Sequence, residues 1–378
     1  MNFKKRLIVF LVSLLITLAI FLFIPESKVI DLPNSDNNNL QFLSVRSTPD
    51  VVRVIYLTNY SAASQAKIDE IIEMAENNEI NSVVIDIKDW SGYIFYETKI
   101  SQAEKYNSKK IIIRDIAKLI EKLHQHDIYT IARVVVFQDP VLAKARPEIA
   151  VQKISDQSSL WLDNHGLAWI DPASQEAWDY NIDLALEALD LGFDEINFDY
   201  IRFPSDGRLR EMAFPIWDKT ISKRDVIKTF FRYLRQRMSR AIISADLFGY
   251  TTVNRDDLNI GQVIEDAFPY FDFICPMVYP SHYNRGFIGI DRPAEHPYQV
   301  VNYSMKATLE RLNFFNQEKE MKIKTGLRPW LQDFNLGATY DTRMVRDQIQ
   351  ATEDALEEDY VGFILWNPRN IYTREALR

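Results

Sequence analysis

The chain is poor in cysteine, histidine and glycine, and each shortage excludes a class of protein. Its one cysteine, Cys275, rules out an internal disulfide framework and a cysteine-based zinc cluster. The five histidines form no His-Glu-x-x-His pattern, so we expect no histidine-rich metal site. With 11 glycines and 15 prolines in 378 residues, the sequence is neither collagen-like nor of low complexity.

Basic residues are outnumbered as well. The chain has 44 Lys and Arg against 53 Asp and Glu, which gives a formal net charge of −9. Because a nucleic-acid-binding protein normally presents a basic face, we expect no nucleic-acid partner. The sequence also has no Gly-rich phosphate-binding motif and no Gly-x-Ser-x-Gly nucleophile motif. Apolar residues are plentiful, at 47%, which is enough for a large core.

The first 24 residues differ from the rest of the chain. Lys4, Lys5 and Arg6 precede an uncharged apolar run over residues 7–24. A helix of that length spans about 27 Å, close to the hydrocarbon thickness of a bilayer. No small-x-small cleavage site follows, so we predict an uncleaved signal anchor at 1–24, a transmembrane helix with its basic end in the cytoplasm. The alternative is a cleaved signal peptide and a secreted protein.

The anchor is followed by two further parts. Residues 25–50 are polar and aperiodic, which predicts a short linker, and residues 51–378 form the globular domain. Either alternative for the amino terminus places that domain outside the cytoplasm. The predicted location is the cell membrane, as a single-pass protein attached through residues 7–24.

Short apolar runs alternate with amphipathic stretches throughout the globular domain. Eight runs rich in Val, Ile, Phe and Tyr predict buried parallel strands, and helical periodicity lies between them. This alternation predicts an α/β fold, a single (β/α)8 TIM barrel. A doubly wound sheet is the alternative, but no Gly-rich turn follows its first strand. The predicted strands are 51–57, 82–87, 128–136, 194–200, 241–247, 272–279, 322–327 and 361–366; the predicted helices are 64–78, 111–126, 174–191, 222–240, 297–316 and 342–358, with a shorter one at 256–267.

One connection is unusually long. Nearly forty residues separate Val136, at the end of the third strand, from Ser174, where a few would suffice. A long loop at the carboxyl end of a barrel strand usually builds the wall of an active site.

Carboxylates occur at the carboxyl ends of several predicted strands, where TIM barrels place catalytic groups. On the fourth strand Glu195, Asn197 and Asp199 share one face, which must point to the barrel axis because the other face is apolar. Asp246 ends the next strand, about 4.8 Å away. We therefore predict Asp199 and Asp246 as a catalytic pair, with Asp86 in reserve.

Two alternatives to this pair remain open. Asp199 and Glu195 could belong to an internal ion-pair network, with Arg202 as a partner. Asp89 is a fourth candidate, but it equally suits a turn before Trp90. The sequence does not decide which aspartate is the acid and which the nucleophile or base.

Other polar and aromatic side chains at strand ends suit sugar binding, because aromatic faces stack on pyranose rings. Trp90 lies among the tryptophans at these ends. The predicted substrate-binding residues are Arg133, Arg202, Tyr279, His282, Trp161, Trp169, Trp330, Trp366 and Asn367.

Five segments resemble a known family: RVVVFQDP at 133–140, GLAWIDP at 166–172, GFDEINFDYIRFPSDG at 192–207, SADLFG at 244–249 and ILWNP at 364–368. They are similar to the glycoside hydrolase-like domain, DUF4015 type, of bacterial membrane-anchored and secreted proteins. The resemblance runs from about Val51 to the end of the chain. It implies a TIM-barrel glycosidase fold and a carbohydrate substrate.

These observations favour a glycoside hydrolase that acts on a cell-envelope or environmental polysaccharide. The alternatives are a non-catalytic carbohydrate-binding scaffold and, third, a metal-assisted carbohydrate deacetylase. We expect no organic cofactor, and no calcium-loop spacing indicates a metal site.

Overall fold

The computed structural model describes residues 46–320 and 322–378. The predicted anchor at 1–24 and all of the linker except residues 46–50 lie outside that part of the chain, so both stay predictions. Within the described residues, no helix is both long and apolar enough to cross a membrane.

The core of the molecule is a closed parallel barrel. In the described residues its strands are β1 Val52–Leu57, β2 Ser82–Lys88, β3 Tyr129–Val135, β4 Glu195–Asp199, β5 Ile243–Phe248, β6 Phe273–Met277, β7 Gly326–Leu327, β8 Trp330–Gln332 and β9 Gly362–Trp366. These nine segments occupy eight positions, in the order β8–β9–β1–β2–β3–β4–β5–β6–β7, and β8 also pairs with β6, where Trp330 lies opposite Met277. This pairing closes the ring and confirms the predicted TIM barrel.

Helices surround the barrel, and most begin at a capping residue visible in the sequence. At Ser64, Ser174, Ser222, Asp115 and Asp341 the side chain accepts a hydrogen bond from a backbone N–H in the first helical turn. The long helices are α1 Gln65–Glu76, α2 Ile116–Gln125, α3 Gln175–Asp190, α4 Lys223–Arg237, α5 Pro297–Glu318 and α6 Thr342–Leu356; short ones lie at Asn59–Ala62, Ser101–Lys105, Pro140–Ala145 and Ile264–Ala267.

Three predicted boundaries are wrong. The helix expected from residue 111 begins at Ile116, because Asp115 caps it. The short helix expected at 256–267 is only Ile264–Ala267, so β5 and β6 are joined without a full outer helix. The seventh strand lies later than 322–327 and is divided into β7 and β8, because Pro329 between them has no N–H to donate to a ladder.

Side chains alternate between the barrel interior and the helix layer, as the pattern on the fourth strand predicted. Glu195 is the first residue of β4 and points inward, where it is buried and pairs with the buried guanidinium of Arg328. It also accepts a hydrogen bond from Ser244 Oγ at 2.6 Å. For Glu195 the alternative of an internal ion pair is therefore correct. The inward-facing apolar residues around it are Val52, Val54, Val84, Tyr129, Ile131, Cys275 and Ile364.

The long loop after β3 forms a wall beside the barrel mouth, and it has a partner that the sequence analysis did not predict. Residues 200–222 after β4 make a second long loop, and the two are joined by an antiparallel pair, Gln152–Lys153 with Met212–Ala213. Trp161 in the first loop donates its indole N–H to the Arg208 carbonyl in the second at 3.0 Å. The two loops therefore support each other.

Candidate active site

Four neighbouring strands bring three aspartates around one guanidinium at the barrel mouth. Arg133 on β3 contacts Asp86 on β2 through Nη1 and Oδ1 at 2.5 Å, and it pairs with Asp199 on β4 through Nη2 and Oδ2. Its Nε lies 3.5 Å from Asp246 Oδ2 on β5. The predicted catalytic aspartates are thus brought together. Arg202 was the partner considered for Asp199 in the alternative of an internal ion-pair network, but the cation that pairs with Asp199 is Arg133, which the sequence analysis had placed in substrate binding.

Strand register explains why these residues meet. Asp86 lies opposite Arg133, and Arg133 lies opposite Asn197, in consecutive parallel pairs. In a parallel ladder, residues in register on adjacent strands point to the same side. The inward face of β3 therefore delivers an arginine between the carboxylates of its neighbours.

Asp246 has an asymmetric environment. Its Oδ1 accepts hydrogen bonds from Trp330 Nε1 at 2.6 Å and from Asn197 Nδ2 at 2.8 Å. Its Oδ2 is buried and has no hydrogen-bond partner among the described residues. Burial raises the pKa of Asp246 well above its ordinary value, the charge of Asp199 raises it further, and Arg133 lowers it. This environment favours the protonated form of Asp246 more than that of an ordinary, solvated aspartate.

Asp86 is held from two sides. The Tyr56 hydroxyl donates to its Oδ2 at 2.5 Å, and Arg133 binds its Oδ1. Burial raises the pKa of Asp86 to about 6, although Arg133 and the Tyr56 hydrogen bond lower it. Tyr56 and Arg133 thus each hold one oxygen of Asp86, and Asp86 in turn orients the Arg133 guanidinium.

Asp199 lies at a strained point of the backbone. Its Oδ1 accepts a hydrogen bond from the N–H of Tyr200 at 2.6 Å, and Tyr200 has a φ of +53°. A left-handed conformation is uncommon for a bulky residue, and such strain concentrates at functional sites. The ring of Tyr200 packs against Trp169, with 5.7 Å between centroids, which helps to hold this turn.

Aromatic side chains occupy the part of the mouth on β6, β8 and β9, where burial and the nearby charges of Asp246 and Asp199 raise the pKa of Tyr279. Tyr279 follows β6 and packs against Trp366 at the end of β9, with 5.2 Å between centroids. Phe334, just after β8, meets Trp366 at 4.8 Å, and the exposed ring of His282 lies 5.1 Å from Tyr279. Trp366 and Phe334 are half-buried and keep open surface. The mouth therefore has a carboxylate side and an aromatic side.

Three predicted stacking tryptophans do not fit that role in this structure, because they are buried. Trp161 packs between the two wall loops, and Trp169 donates to Asp163 Oδ2 at 3.0 Å. Trp330 lies inside the barrel and holds Asp246. Trp366 keeps open surface at the mouth, and Trp90 is 50% exposed.

Two predicted polar contacts with substrate also need correction. Arg202 is buried, with its guanidinium 4.8 Å from the Trp169 ring centroid and 4.5 Å from that of Phe248, and its Nη1 donates to the Phe203 carbonyl. Asn367 uses its amide to fix the last loop, donating to the Asp333 and Ile371 carbonyls. Both support the walls of the site instead of facing the mouth.

Sequence reasoning missed Tyr56, Phe334 and the role of Asn197. Alternation along the first strand could have found Tyr56, since Val52, Val54 and Tyr56 share the inward face. Phe334 lies in a loop after the misplaced seventh strand, and no periodicity indicates its position.

No metal centre is evident in the part of the chain that the structure describes: no group of three or more His, Cys, Asp or Glu side chains is placed to hold a metal ion. The three aspartates instead surround the guanidinium of Arg133. These side chains do not fit the metal centre that the third alternative, a metal-assisted carbohydrate deacetylase, would need.

Comparison with known sequences identifies the family. The pattern of DUF4015, described as "Putative glycosyl hydrolase domain", matches residues 54–372. The chain belongs to this family. The resemblance seen in the sequence is thereby confirmed, and the DUF4015 domain includes every strand that contributes to the site except the first two residues of β1. No curated protein matches the chain.

The solved structures of a PgaB domain and of an alpha-L-fucosidase agree with the fold of the DUF4015 domain. A hypothetical protein from Ruminiclostridium thermocellum ATCC 27405 is 34% identical over 55% of this chain and 98% of that one, with a TM-score of 0.47. The glycoside hydrolase domain of PgaB (BpsB) from Bordetella bronchiseptica is 13% identical over 84% and 94%, with a TM-score of 0.58. Alpha-L-fucosidase isoenzyme 2 from Paenibacillus thiaminolyticus is 12% identical over 86% and 48%, with a TM-score of 0.54. At these low identities the last two show the fold alone.

Proposed function

We propose that this protein is a glycoside hydrolase that cleaves a polysaccharide outside the cytoplasm, with Asp246 as general acid and Asp199 as its partner. The observation that carries the proposal is the environment of Asp246. One of its oxygens is fixed by Trp330 and Asn197, and the other is buried without a hydrogen-bond partner among the described residues, 3.5 Å from Arg133 Nε. That second oxygen is the natural position for a transferable proton.

Charge balance supports this assignment. Three buried carboxylates surround a single guanidinium, so ionising all of them would leave excess negative charge in a poorly solvated site. The proton is best kept on Asp246, which is farthest from a full ion pair with Arg133. Asp199, directly paired with Arg133, is then the ionised carboxylate.

The reaction follows from these two states. Asp246 donates its proton to the glycosidic oxygen as the bond from that oxygen to the anomeric carbon breaks. Asp199 attacks the anomeric carbon in a retaining enzyme, or takes a proton from the attacking water in an inverting one. The anomeric configuration of the first product distinguishes these two courses.

The two sides of the mouth suit a sugar ring. A pyranose has apolar C–H faces and a hydroxyl-bearing edge. Trp366 offers a stacking surface for a face, while the carboxyl groups on β2, β4 and β5 can form hydrogen bonds with hydroxyl groups. Glycoside hydrolase domains of similar fold, such as that of PgaB, are consistent with a glycan substrate. The apolar run at 7–24 and the polar linker support action at the outer face of a membrane.

The test uses the chain from residue 27 onward and three variants. Asp199→Asn and Asp246→Asn remove the proposed pair, and Asp127→Asn, at an exposed turn before β3, is the matched control. Each protein is incubated with hydroxyethyl cellulose, chitosan, alginate and extracted envelope polysaccharides, and new reducing ends are assayed. We expect activity in the wild type and the control and a loss of at least a thousandfold in both site variants.

Other outcomes would favour the alternatives. Saturable binding without hydrolysis, unchanged in both site variants, would contradict the enzyme and support a carbohydrate-binding scaffold. Release of acetate that a chelator abolishes would support the deacetylase.

A further inference from the structure

A second aromatic surface lies at the barrel mouth, on the loops after β1 and β2. Tyr60, in the short helix after β1, is 59% exposed, and Trp90, two residues after β2, is 50% exposed. Tyr93 lies in the same loop as Trp90. The ammonium of Lys110 lies over both tyrosines, 6.0 Å from the ring centroid of Tyr60 and 5.7 Å from that of Tyr93. We call Tyr60, Trp90, Tyr93 and Lys110 the β1–β2 platform.

The turn that carries Trp90 is fixed by its contacts. Asp89 Oδ1 accepts hydrogen bonds from the Ser91 N–H at 2.8 Å and from the Ser91 hydroxyl at 2.5 Å. Gly92 follows in a left-handed conformation, with φ of +81°, and packs so closely on Asp139 that a Cβ would lie 2.2 Å from its Oδ1. Half of the Trp90 surface is thus exposed by a well-defined turn. Exposed aromatic side chains held in this way at a mouth are typical of binding surfaces.

The ammonium group of Lys110 has N–H donors that none of its described contacts uses. Within residues 46–320 and 322–378 its ammonium makes cation–π contacts, and no hydrogen bond or ion pair engages it. Its neighbour Lys109 is paired with two carboxylates, Glu97 at 2.8 Å and Glu104 at 3.0 Å. In a chain with a net charge of −9, an unpaired ammonium beside two aromatic rings is available to the oxygens of a ligand.

The β1–β2 platform adjoins the catalytic cluster. Strand β1 carries Tyr56 and strand β2 carries Asp86, which are hydrogen-bonded to each other. Asp89 is near enough to Asp86 for its charge to raise the pKa of that carboxyl. The loop that presents Trp90 is therefore continuous with the carboxylate side of the mouth. A glycan chain leaving the aspartates on this side would meet the platform next.

We propose that the β1–β2 platform binds a second sugar unit of the substrate chain, an inference that rests on the proposed glycoside hydrolase activity. The face of that sugar stacks on Trp90 or on the tyrosine rings, and Lys110 donates hydrogen bonds to its hydroxyl or carboxylate oxygens. The enzyme then depends on chain length. Long glycans reach the platform, and the shortest cleavable oligosaccharide does not.

The test compares Trp90→Ala and Tyr60→Ala with Phe314→Ala, which removes an aromatic ring that is 57% exposed on the outer helix α5. All three side chains are exposed, so folding should survive, and melting temperatures verify this. We measure kcat/KM on the polysaccharide that the wild type cleaves and on the shortest oligosaccharide still hydrolysed. For each platform variant, kcat/KM on the polysaccharide should fall about threefold to tenfold because KM rises, and kcat/KM on the oligosaccharide should not change.

Two results would overturn the inference and leave the proposed activity intact. One is a kcat/KM on the polysaccharide that is the same in the platform variants as in Phe314→Ala. The other is an equal loss of kcat/KM on the polysaccharide and on the oligosaccharide. Absence of any hydrolysis by the wild type would instead overturn the proposed function. The platform is then judged by affinity electrophoresis in gels containing chitosan or alginate. Retardation of the wild type that Trp90→Ala abolishes would sustain the binding surface, and no retardation would overturn it.

Discussion

Trp330 donates its indole N–H to Oδ1 of Asp246 across the barrel interior, at 2.6 Å. Trp330 also lies opposite Met277 in the pairing that closes the barrel. The residue that completes the ring thus orients the proposed catalytic acid. Because Asn197 donates to the same oxygen, Oδ2 is the oxygen on which a proton of Asp246 would lie.

Replacing Trp330 by Phe should shift the pH dependence of activity. The lost hydrogen bond stabilises the ionised form of Asp246, so its removal raises the pKa of that carboxyl further. The alkaline limb of the kcat/KM profile, which reports deprotonation of the acid, should therefore move to higher pH. Trp169→Phe, which loses an indole hydrogen bond to Asp163 in the wall, is the matched control. An unshifted limb in Trp330→Phe would show that Asp246 is not the acid.

Removing the guanidinium of Arg133 should destabilise the fold, because the ionised carboxylates of the cluster would remain without their cation. We expect Arg133→Met to cost about 3–5 kcal/mol of unfolding free energy at pH 7. The cost should shrink near pH 4, where the carboxyls take up protons. Urea unfolding at both pH values measures it, and Arg133→Lys, which keeps the charge, should lose less. Equal losses at pH 4 and pH 7 would contradict the electrostatic explanation.

Asp86→Asn should change how stability depends on pH. The pKa of Asp86 is about 6 in the folded protein, against about 3.9 in an unfolded chain, so the folded state binds the proton more tightly. The resulting stabilisation is fully present below about pH 4 and is lost as pH rises through 6. Two pKa units correspond to about 3 kcal/mol. Between pH 4 and 7, urea unfolding should therefore show the wild type losing about that much relative to Asp86→Asn. Parallel stability curves would refute this pKa.

Substituting alanine at two glycines with similar backbone conformations should cost very different amounts of unfolding free energy. Gly92 and Gly166 have φ of +81° and +75°, so alanine is strained at both, at a cost of about 1 kcal/mol. A Cβ at Gly166 meets nothing within 4 Å, whereas one at Gly92 would displace Asp139. Asp139 forms a fully buried ion pair with Lys88 at 2.8 Å.

Gly92→Ala should therefore cost about 3 kcal/mol or more, since it disturbs a buried charge pair as well as the backbone. Guanidinium unfolding of both variants measures the difference. Equal losses of unfolding free energy in the two variants would show that the contact with Asp139 adds nothing to the cost of Gly92→Ala.

The order of strands and helices could be predicted from the sequence, because it depends on local patterns. Periodicity identified the barrel strands, and the positions of Ser64, Ser174 and Ser222 agree with observed helix caps. The position predicted for the seventh strand was wrong, because the break at Pro329 divides this strand into segments too short for a periodic signal.

Part of the site was also determined by the sequence alone. Side chains alternate along an extended strand, so the inward direction of Asp199 follows from its own strand. The position of Arg133 between three aspartates could not be predicted from the sequence, because this position depends on the register of four strands that are distant in sequence. Nor could it separate Trp366 and Trp90, which keep open surface, from the buried Trp161, Trp169 and Trp330. Exposure is decided by which loops pack over a ring, and only the tertiary structure fixes that packing.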